Sequence, residues 1–487
     1  DQAFQGKISG VNAVQTSGQP GSAVAVSVRG IATINANSEP LYVVDGVIFN
    51  SQSNSGASLG LGDKLGNGSH SAVSPLSLIN PSDIVSMEVL KDAASAAIYG
   101  AEAGNGVVLI TTRNGSNSGG TAHISYSLKA VNQSLGKKAD LFDAPEYIAY
   151  HEYLGDITDA LLESNNYNGQ NTNWYKEVFN NSWSVEHNVT VEGGNNKGHI
   201  LAALGILNDD GIVKGKKDVY KRFTAQLNAD YKFFDWFNIT SNTSVEKWST
   251  KSLTNGYQSF LNSVVSIDPL TPAYITSLDD MPTTMRTKWE SPDHGGVTTP
   301  PGFDEVHPVW YGTSKYIEEA TANPLAMRDR QNASNKGINV RGTFAANLIP
   351  VKCLTITSRL GYQITQSNSH SYNGPFWLNT LSQSDQYTIS AGTNTGLYYQ
   401  WENFANFTKS FGKHNVNAMI GMSFTKNRTD NSSLSSADTK QILEGDAAPL
   451  FQYINFLNSN GKAKLKGSNL PTINTHLSYF GRLNYNY

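Results

Sequence analysis

The stretch that decides the fold is YKRFTAQLNADYKF, which runs from Tyr220 to Phe233. Apolar residues such as Phe223 and Leu227 occupy every second position, and polar residues such as Gln226 lie between them. Side chains of a strand point alternately to its two faces, so one face here is apolar and the other polar. A tilted strand that crosses a bilayer takes about 9–11 residues, whereas a strand of a globular protein is usually nearer 5–6. The length of the alternation therefore predicts a membrane-spanning β-strand.

The same alternation recurs after Gly120. It is clear around 338–348, 354–364, 416–424 and 477–487, and weaker at 122–133, 184–193, 198–208, 236–248 and 397–411. With 220–233, these segments predict ten strands. The connections alternate between short turns at 194–197, 234–235, 350–351 and 412–413 and long polar segments at 134–183, 209–219, 249–337, 365–396 and 425–473. Short turns on one side and long loops on the other are typical of an outer-membrane barrel. Aromatic residues near strand ends are expected in its interfacial girdles, namely Trp236, Trp248, Tyr398 and Trp401.

The composition restricts the class of protein further. The 36 basic and 40 acidic residues give a net charge of −4, which argues against nucleic acid as a partner, because a phosphate-binding surface needs a positive excess. Charged residues make up 16% of the chain, whereas about a quarter is typical of soluble proteins. No run of about 18 apolar residues is present, so no transmembrane helix is expected. The single cysteine, Cys353, is expected to be a filler residue on a strand.

Residues 1–120 differ from the rest and predict a small mixed α/β domain. Short apolar runs predict strands that are buried on both faces, at Ala23–Val28, Leu41–Val47, Ile84–Leu90 and Val107–Thr112. The alanine-rich segment Asp92–Tyr99 predicts one short helix that ends at Gly100. The sequence NGSNSGG at 114–120 predicts a flexible connector to the strands.

Six stretches within this domain carry a family pattern: FQGKISGV (4–11), VRG (28–30), LYVVDGV (41–47), NPSDIVSMEVLKD (80–92), AASAAIY (93–99) and GNGVVLITTR (104–113). Looser matches follow at KRF (221–223), NPL (323–325), FGKH (411–414) and YFGRLNYNY (479–487). In order and spacing, the six stretches resemble the plug of the SusC/RagA family, the TonB-dependent outer-membrane transporters of the Bacteroidetes. The looser matches extend the resemblance over the whole chain.

The resemblance implies a membrane all-β fold with a large antiparallel β-barrel and a small α/β plug in its lumen. The plug is expected at 1–120 and the first part of the barrel at 121–487. An open edge cannot face lipid, and a closed ten-stranded barrel could not hold such a plug, whereas plugged transporters have about 22 strands. We therefore expect the C-terminal half of the barrel to be absent from the chain. We likewise expect that the family's N-terminal extension with its TonB box is not part of this chain.

The function that the resemblance implies is active import of a large nutrient across the bacterial outer membrane. An oligosaccharide is the leading substrate, and an oligopeptide is the alternative. The implied partners are a SusD-like surface lipoprotein that acts as a lid, and TonB–ExbB–ExbD acting through the absent segment. The family likeness also suggests a dimer of transporter–lid pairs.

Two sets of candidate residues follow. Charges on plug elements are predicted plug–barrel contacts, namely Arg29, Glu88, Lys91 and Arg113. They could form ion pairs that release the plug when it is pulled, although pairs that simply lock plug to wall are the favoured interpretation. Aromatic residues of the long loops are candidates for substrate binding, namely Trp289, Trp310, Tyr311, Tyr372 and Trp377. They could stack on sugar rings, although packing of the loops against one another is favoured.

Other function classes fit less well. A passive porin or an adhesin-like barrel remains the alternative, but a diffusion pore does not need a plug of this size. An enzyme is not expected, because no Ser/His/Asp or paired-carboxylate pattern stands out. No cofactor or metal is expected, since the ten histidines show no HExxH spacing and the single cysteine cannot form a CxxC pair.

Overall fold

The computed structural model describes residues 10–15, 18–21, 24–29, 40–49, 83–251, 253, 256–317, 321–330, 332–438 and 466–487. These residues form a small α/β plug, a ten-stranded sheet that we call the wall, and a set of folded loops at one end of the wall. In this part of the chain, every helix is too short or too polar to cross a bilayer.

The plug contains two small sheets. Strand β1 (Val11–Gln15) pairs antiparallel with β2 (Val24–Val28). The second sheet has the order β4–β3–β6–β5, with β3 at Leu41–Val44, β4 at Val47–Phe49, β5 at Ile84–Leu90 and β6 at Val107–Thr112. Strands β3 and β6 run parallel, and helix α1 (Ala93–Ala96) followed by a 3-10 helix (Ala97–Asn105) connects β5 to β6. The plug is therefore the expected small α/β unit.

Two details of the plug differ from the predictions. Leu41–Val47 is a hairpin instead of one strand, because Asp45 and Gly46 both have positive φ (51° and 82°), as a two-residue Asp-Gly turn requires. The helix does end at Gly100 as predicted, since its φ of 69° and ψ of −155° are not helical, and a further helical turn follows it. Strand β5 is half-exposed, so it is not buried on both faces. The predicted features at 1–9, 30 and 80–82 lie outside the described residues.

The wall is a ten-stranded antiparallel sheet in which each strand pairs with the next one along the sheet. Its strands are β7 (Ala122–Gln133), β8 (Ser182–Asn195), β9 (Gly198–Asp210), β10 (Val219–Phe234), β11 (Phe237–Lys251), β14 (Ala333–Val351), β15 (Leu354–Asn373), β18 (Tyr387–Phe411), β19 (His414–Asp438) and β20 (Lys466–Asn486). All ten predicted strands are confirmed.

The burial of side chains in the wall is the reverse of that in a soluble protein. In β10, Phe223 and Leu227 are 41% and 50% exposed, whereas Gln226 and Asn228 are 9% and 0% exposed. An apolar face left in water would cost roughly 25 cal/mol for each Å². The same face is favourable against lipid, and the polar face can then line the interior, where the plug lies. This reversal is the physical signature of a membrane barrel wall.

Several wall strands extend beyond the predicted bounds. Strands β15, β18 and β19 contain 20, 25 and 25 residues. Residues 365–373, 387–396 and 425–438 were expected in loops and are strand instead. The apolar alternation marks only the part of a strand that meets lipid. Beyond the bilayer, the backbone pairing of a hairpin continues while both faces can be polar, so the sequence pattern disappears before the strand does.

The predicted aromatic girdle is correct for only part of its members. Trp236 stacks on Phe234 with ring centroids 5.2 Å apart beside the short β10–β11 turn, and Trp401 is also exposed on the lipid side. Trp248 and Tyr398 are buried instead. Both occupy polar-face positions of their strands, so they point away from lipid.

The connector and the cysteine are placed differently from the predictions. The backbone N–H groups of Ser118 and Gly120 donate to the Gly194 carbonyl oxygen, at 3.2 and 2.8 Å. Asn117 Nδ2 donates to Asn196 Oδ1 at 2.8 Å, so the connector is attached to the β8–β9 turn. Cys353 lies in the β14–β15 turn instead of on a strand.

The long connections form a folded unit that we call the loop layer. Its helices are α2 (Ala144–Leu154), α3 (Asp159–Ser164), α4 (Trp174–Val178), α5 (Gly256–Ser266), α6 (Thr283–Trp289) and α7 (Pro324–Asp329). Two small two-stranded antiparallel sheets join them, β12 (Tyr274–Ile275) with β13 (Trp310–Tyr311), and β16 (Phe376–Trp377) with β17 (Gln383–Ser384). Buried aromatic and aliphatic side chains give this layer its own hydrophobic cores. The loop layer lies at the end of the wall opposite to the short turns.

Candidate functional site

The tip of the plug hairpin β3–β4 lies directly against the wall. Asp45 fixes the hairpin to the plug, because its Oδ1 accepts from the Thr112 backbone N–H at 2.9 Å and its Oδ2 from the Thr112 hydroxyl at 2.8 Å. At the next position, a Cβ would overlap the guanidinium of Arg359 on β15. Gly46 therefore serves two purposes: it permits the turn and it admits the arginine.

A chain of polar side chains on the wall continues from that arginine to the plug backbone. Arg359 pairs with Glu402 of β18, with Nη2 2.5 Å from Oε2. Glu402 Oε1 accepts from Gln400 Nε2 at 2.6 Å. The Gln400 Oε1 in turn accepts from the Ile48 backbone N–H at 3.0 Å and from the Tyr398 hydroxyl at 2.8 Å. The plug strand β4 is thus held to the wall by a hydrogen bond from Ile48 to Gln400 of β18. The side chains of Glu402 and Arg359 orient Gln400 through the network described above.

Glycine also permits close approach from the side of the wall. A Cβ placed on Gly361 of β15 would lie 2.9 Å from the Val47 Cβ, which is closer than real Cβ contacts. On another part of the plug, a Cβ at Gly21 would lie 2.8 Å from the ring of Tyr220 on β10. The backbone of the plug therefore approaches the wall where either partner lacks a side chain.

A second set of contacts lies at the end of β6. Arg113 Nη2 is 2.9 Å from Glu192 Oε2 on β8, and both side chains are partly exposed. The buried amide of Asn228 on β10 donates to the Arg113 carbonyl oxygen and to Thr112 Oγ1, the latter at 3.2 Å. The plug is thus connected to β8 and β10 as well as to β15 and β18.

A small cavity of about 40 Å³ lies between the two sets of contacts. It is lined by plug residues Val44, Asp45, Val47, Ile48 and Thr112 and by wall residues Gln226, Asn228, Asn242, Thr243, Ser244, Arg341, Gly342, Thr343, Tyr362 and Gln363. We use the name plug–wall interface for these residues together with the two sets of contacts. Most of its wall side chains are polar, so water can replace the plug without meeting a large apolar surface.

The interface can therefore be broken at modest free-energy cost. A hydrogen bond within a protein contributes about 0.5–1.5 kcal/mol net, because water offers a replacement when the bond opens. Contacts of this kind hold a plug in place yet allow it to move.

The structure separates the four predicted plug–barrel residues. Arg113 lies at the wall, in the ion pair described above. Arg29 is exposed, and its charge contributes to holding the pKa of Asp92 below its usual value, after the larger effect of the Ser95 hydroxyl. The Lys91 side chain runs past Gly10 of the plug. Glu88 is exposed on β5, and within the described residues neither Arg29 nor Glu88 forms an ion pair with the wall.

Sequence reasoning from charge missed most of the interface. The contacts come from neutral polar residues and glycines, notably Gly46, Thr112, Asn228, Gly361 and Gln400. The Asp-Gly pair in LYVVDGV was a signal for a hairpin tip, since this dipeptide favours a two-residue turn. Asn228 and Gln400 could have been shortlisted as polar residues on the interior face of their strands.

The candidate substrate-binding aromatics are mostly structural. Trp310, Tyr311 and Trp377 are only 2–3% exposed, so no sugar ring can stack on them as they stand. Trp289 stacks on His294 with centroids 3.8 Å apart and packs edge-on against Trp310. Tyr372 packs on Ile389. All five therefore pack within the loops, as the favoured interpretation has it, and substrate binding by any of them stays a prediction.

Across the described residues, no three His, Cys, Asp or Glu side chains are grouped so that they could hold a metal ion.

Comparison with known proteins supports the assignment of the plug and the wall. The family model described as TonB-dependent Receptor Plug Domain matches residues 1–107. The TonB-dependent receptor SusC of Bacteroides thetaiotaomicron is 28% identical over 497 aligned positions, which cover 99% of this chain and 43% of SusC. The TonB-dependent receptor P26 of Formosa agariphila is 25% identical, with 100% and 43% covered.

The fold agrees with a solved structure of the same architecture. The structure of the RagAB peptide transporter superimposes with a TM-score of 0.72 at 21% identity, covering 100% of this chain and 51% of that one. The chain thus spans less than half the length of the curated relatives it matches. Its plug, its ten-stranded wall with reversed burial and these similarities lead to one conclusion: the chain is the plug and part of the β-barrel of a bacterial outer-membrane protein, and it is similar along its whole length to the TonB-dependent receptor SusC.

Proposed function

We propose that the receptor imports a large polar nutrient actively across the outer membrane. The observation that carries the proposal is the plug–wall interface, in which the plug lies against the wall and is held by hydrogen bonds, an ion pair and close contacts at glycines. A barrel wide enough to hold this plug would leak if it were empty, whereas a plug that could never detach from the wall would block transport. Polar contacts satisfy both requirements, because the plug can shift without exposing apolar surface.

The energy must come from the inner membrane, since the outer membrane maintains neither an ion gradient nor a supply of ATP. We propose that TonB–ExbB–ExbD supplies it by pulling on the plug through a segment that precedes the residues of this chain. Pulling would open the plug–wall interface one contact at a time, so the force needed at any moment stays small.

The proposed substrate is an oligosaccharide, and an oligopeptide is the second candidate. The likeness to SusC extends over 99% of the chain and supports the family of nutrient importers, whereas the solved relative RagAB is a peptide transporter. Mass spectrometry of molecules released from the natively purified receptor separates the two. Glycan fragments would support the first proposal, and peptides would move the receptor to the second.

The proposed partner is a SusD-like surface lipoprotein that covers the extracellular mouth, in a dimer of transporter–lid pairs. The loop layer supports this proposal, because its own hydrophobic cores fix the shape of the surface on which a lid would dock. Purification in mild detergent should yield the lipoprotein together with the receptor. Repeated isolation of the receptor alone would contradict the lid.

We further propose that the receptor moves its solute chemically unchanged. Hydrolysis of candidate glycans by the isolated protein, lost on substitution of a single loop carboxylate, would contradict this proposal.

A disulfide between plug and wall tests the movement of the plug. In a Cys353→Ser background, Val47→Cys and Gly361→Cys place two sulfurs at the hairpin tip. The projected Cβ–Cβ distance is 2.9 Å. A disulfide needs about 3.8 Å, so the strands must separate by roughly 1 Å. We expect the oxidised variant to lose nutrient uptake and to recover it on reduction.

A disulfide within the wall is the matched control. Ser371 and Ser390 are paired in register on β15 and β18, and their hydroxyls are 2.7 Å apart. Replacing both by cysteine should form a cross-link that leaves uptake unchanged. Full uptake by the oxidised plug–wall variant would instead favour a passive porin or adhesin.

A further inference from the structure

A cleft of about 690 Å³ opens at the extracellular end of β14, β15 and β18. Its lining comes from the loop layer and the adjoining strand ends, and the residues that matter most are Lys288, Thr298, Arg330, Phe376 and Asp385. Ligand pockets usually measure about 300–1,000 Å³, so this cleft has room for a segment of an oligomer.

The guanidinium of Arg330 is the unusual group in this cleft. Its Cζ lies 3.8 Å from the centroid of the Phe376 ring, so the group is held flat on an aromatic face. Its Nε is buried without a hydrogen-bond partner, and burial lowers the pKa of the side chain from its usual value. Within the described residues, no carboxylate pairs with it. An arginine remains charged in proteins, so the cleft contains a positive charge that no carboxylate of the described residues pairs with.

The other arginines of the loop layer show what is missing at Arg330. Arg286 pairs with Asp279 and Glu290, at 3.3 and 3.0 Å. Arg328 pairs with Asp329 at 2.6 Å. An unpaired charged donor in a partly buried place costs free energy, so its presence calls for an explanation such as a ligand.

A second unsatisfied atom lines the same cleft. The hydroxyl oxygen of Thr298 is buried and has no hydrogen-bond partner. Lys288 adds a positive charge to the lining, and Asp385, the acid of the described lining, is exposed to solvent. The cleft therefore offers two cations and a free hydroxyl to a ligand, against one solvated carboxylate.

We propose that this cleft is a solute-binding subsite in which Arg330 receives a carboxylate group of the imported oligomer. The edge of a guanidinium matches the two oxygens of a carboxylate, and stacking on Phe376 fixes the plane of the group before the solute arrives. The subsite rests on the proposed import function. The carboxylate could belong to a uronic acid of a glycan or to an acidic peptide.

Binding measurements on the purified full-length receptor test the subsite. The probes are trigalacturonate, its trimethyl ester and triglutamate, each titrated by calorimetry. We expect at least one of the two acids to bind better than the neutral ester. Arg330→Gln should weaken that binding by about tenfold or more, since a hydrogen bond to a charged group contributes roughly 1.5–3 kcal/mol. Arg330→Lys keeps the positive charge but lacks the paired N–H donors of the guanidinium, so it should restore only part of the affinity that Arg330→Gln loses.

The matched control is Arg286→Gln, which removes an equal charge from a loop arginine that already has its carboxylates. It should leave the affinity for the acids unchanged. Equal binding of acid and ester, binding of neither acid, or an unaltered affinity in Arg330→Gln would overturn the subsite. Import is tested separately by TonB-dependent uptake of the native nutrient, so uptake that persists while carboxylate preference is absent would reject only the subsite.

Discussion

The plug–wall interface and the loop layer both hold separate segments of the receptor together, but they do so by opposite chemistry. The interface depends on Gln400, Asn228 and the Arg113–Glu192 pair, so its contacts can be exchanged for water. The loop layer depends on buried side chains such as Trp310 and Met285, whose separation would expose apolar area. The comparison teaches that the receptor places reversible contacts where parts must move and hydrophobic cores where shape must persist.

The largest expected effect comes from breaking a loop core. Trp310→Ala removes a buried indole and should destabilise the loop layer by about 3–5 kcal/mol. Limited proteolysis should then cleave between residues 256 and 317, while the plug stays in place and permeability is unchanged. Val306→Ala, at a residue that is 76% exposed in the same connection, should have no such effect. Leakage in Trp310→Ala would show that the two regions are not separable.

A smaller effect is expected from a Cβ at the hairpin tip. Gly46→Ala combines a positive φ with overlap of Arg359, and should cost about 1–3 kcal/mol. Cells that carry it should become more sensitive to vancomycin, because the plug fits the wall less well. Gly412→Ala is the control, since its φ is also positive (62°) but no atom lies within 4 Å of its Cβ position. Equal sensitivity of the two variants would mean that backbone strain, and not the fit to the wall, causes the leak.

Loss of the Gln400 acceptor should have a similar or smaller effect. Gln400→Leu leaves the Ile48 N–H unpaired, which costs about 1–3 kcal/mol. Amide hydrogen exchange should accelerate in residues 41–49 and remain slow in the loop layer. Tyr398→Phe removes only a donor to Gln400 and should preserve most of the protection. Unchanged exchange in Gln400→Leu would indicate that other contacts hold the hairpin.

The smallest effect is expected at the partly exposed ion pair. Glu192→Gln should weaken plug retention by at most about 1 kcal/mol, because solvent screens the pair. The difference from wild type should disappear at high salt. The control is Lys232→Gln, which removes an ion pair with Asp235 at the β10–β11 turn. It should not alter permeability at any salt concentration. A large, salt-independent defect in Glu192→Gln would assign this pair a greater role than its exposure implies.

The sequence predicted the repeating part of the fold well and the interface poorly. Alternation as in Phe223 and Leu227 is a local property, so all ten strands could be found from neighbouring residues. The bond between Ile48 and Gln400 joins residues 352 positions apart, and nothing near either one indicates the other. The loop cores were missed for a related reason, since residues such as Trp174 and Phe260 are widely spaced within polar segments.

The attachment of the connector has a consequence for how the barrel is sealed again after each cycle. Asn117, Ser118 and Gly120 are bonded to the β8–β9 turn, so the C-terminal end of the plug stays fixed to the wall. The seven residues 114–120 can extend over roughly 25 Å at most. A displaced plug is therefore confined near its own binding surface, at an effective concentration on the order of millimolar. Weak individual contacts are then sufficient for rapid closure, because the plug re-enters as part of the same molecule.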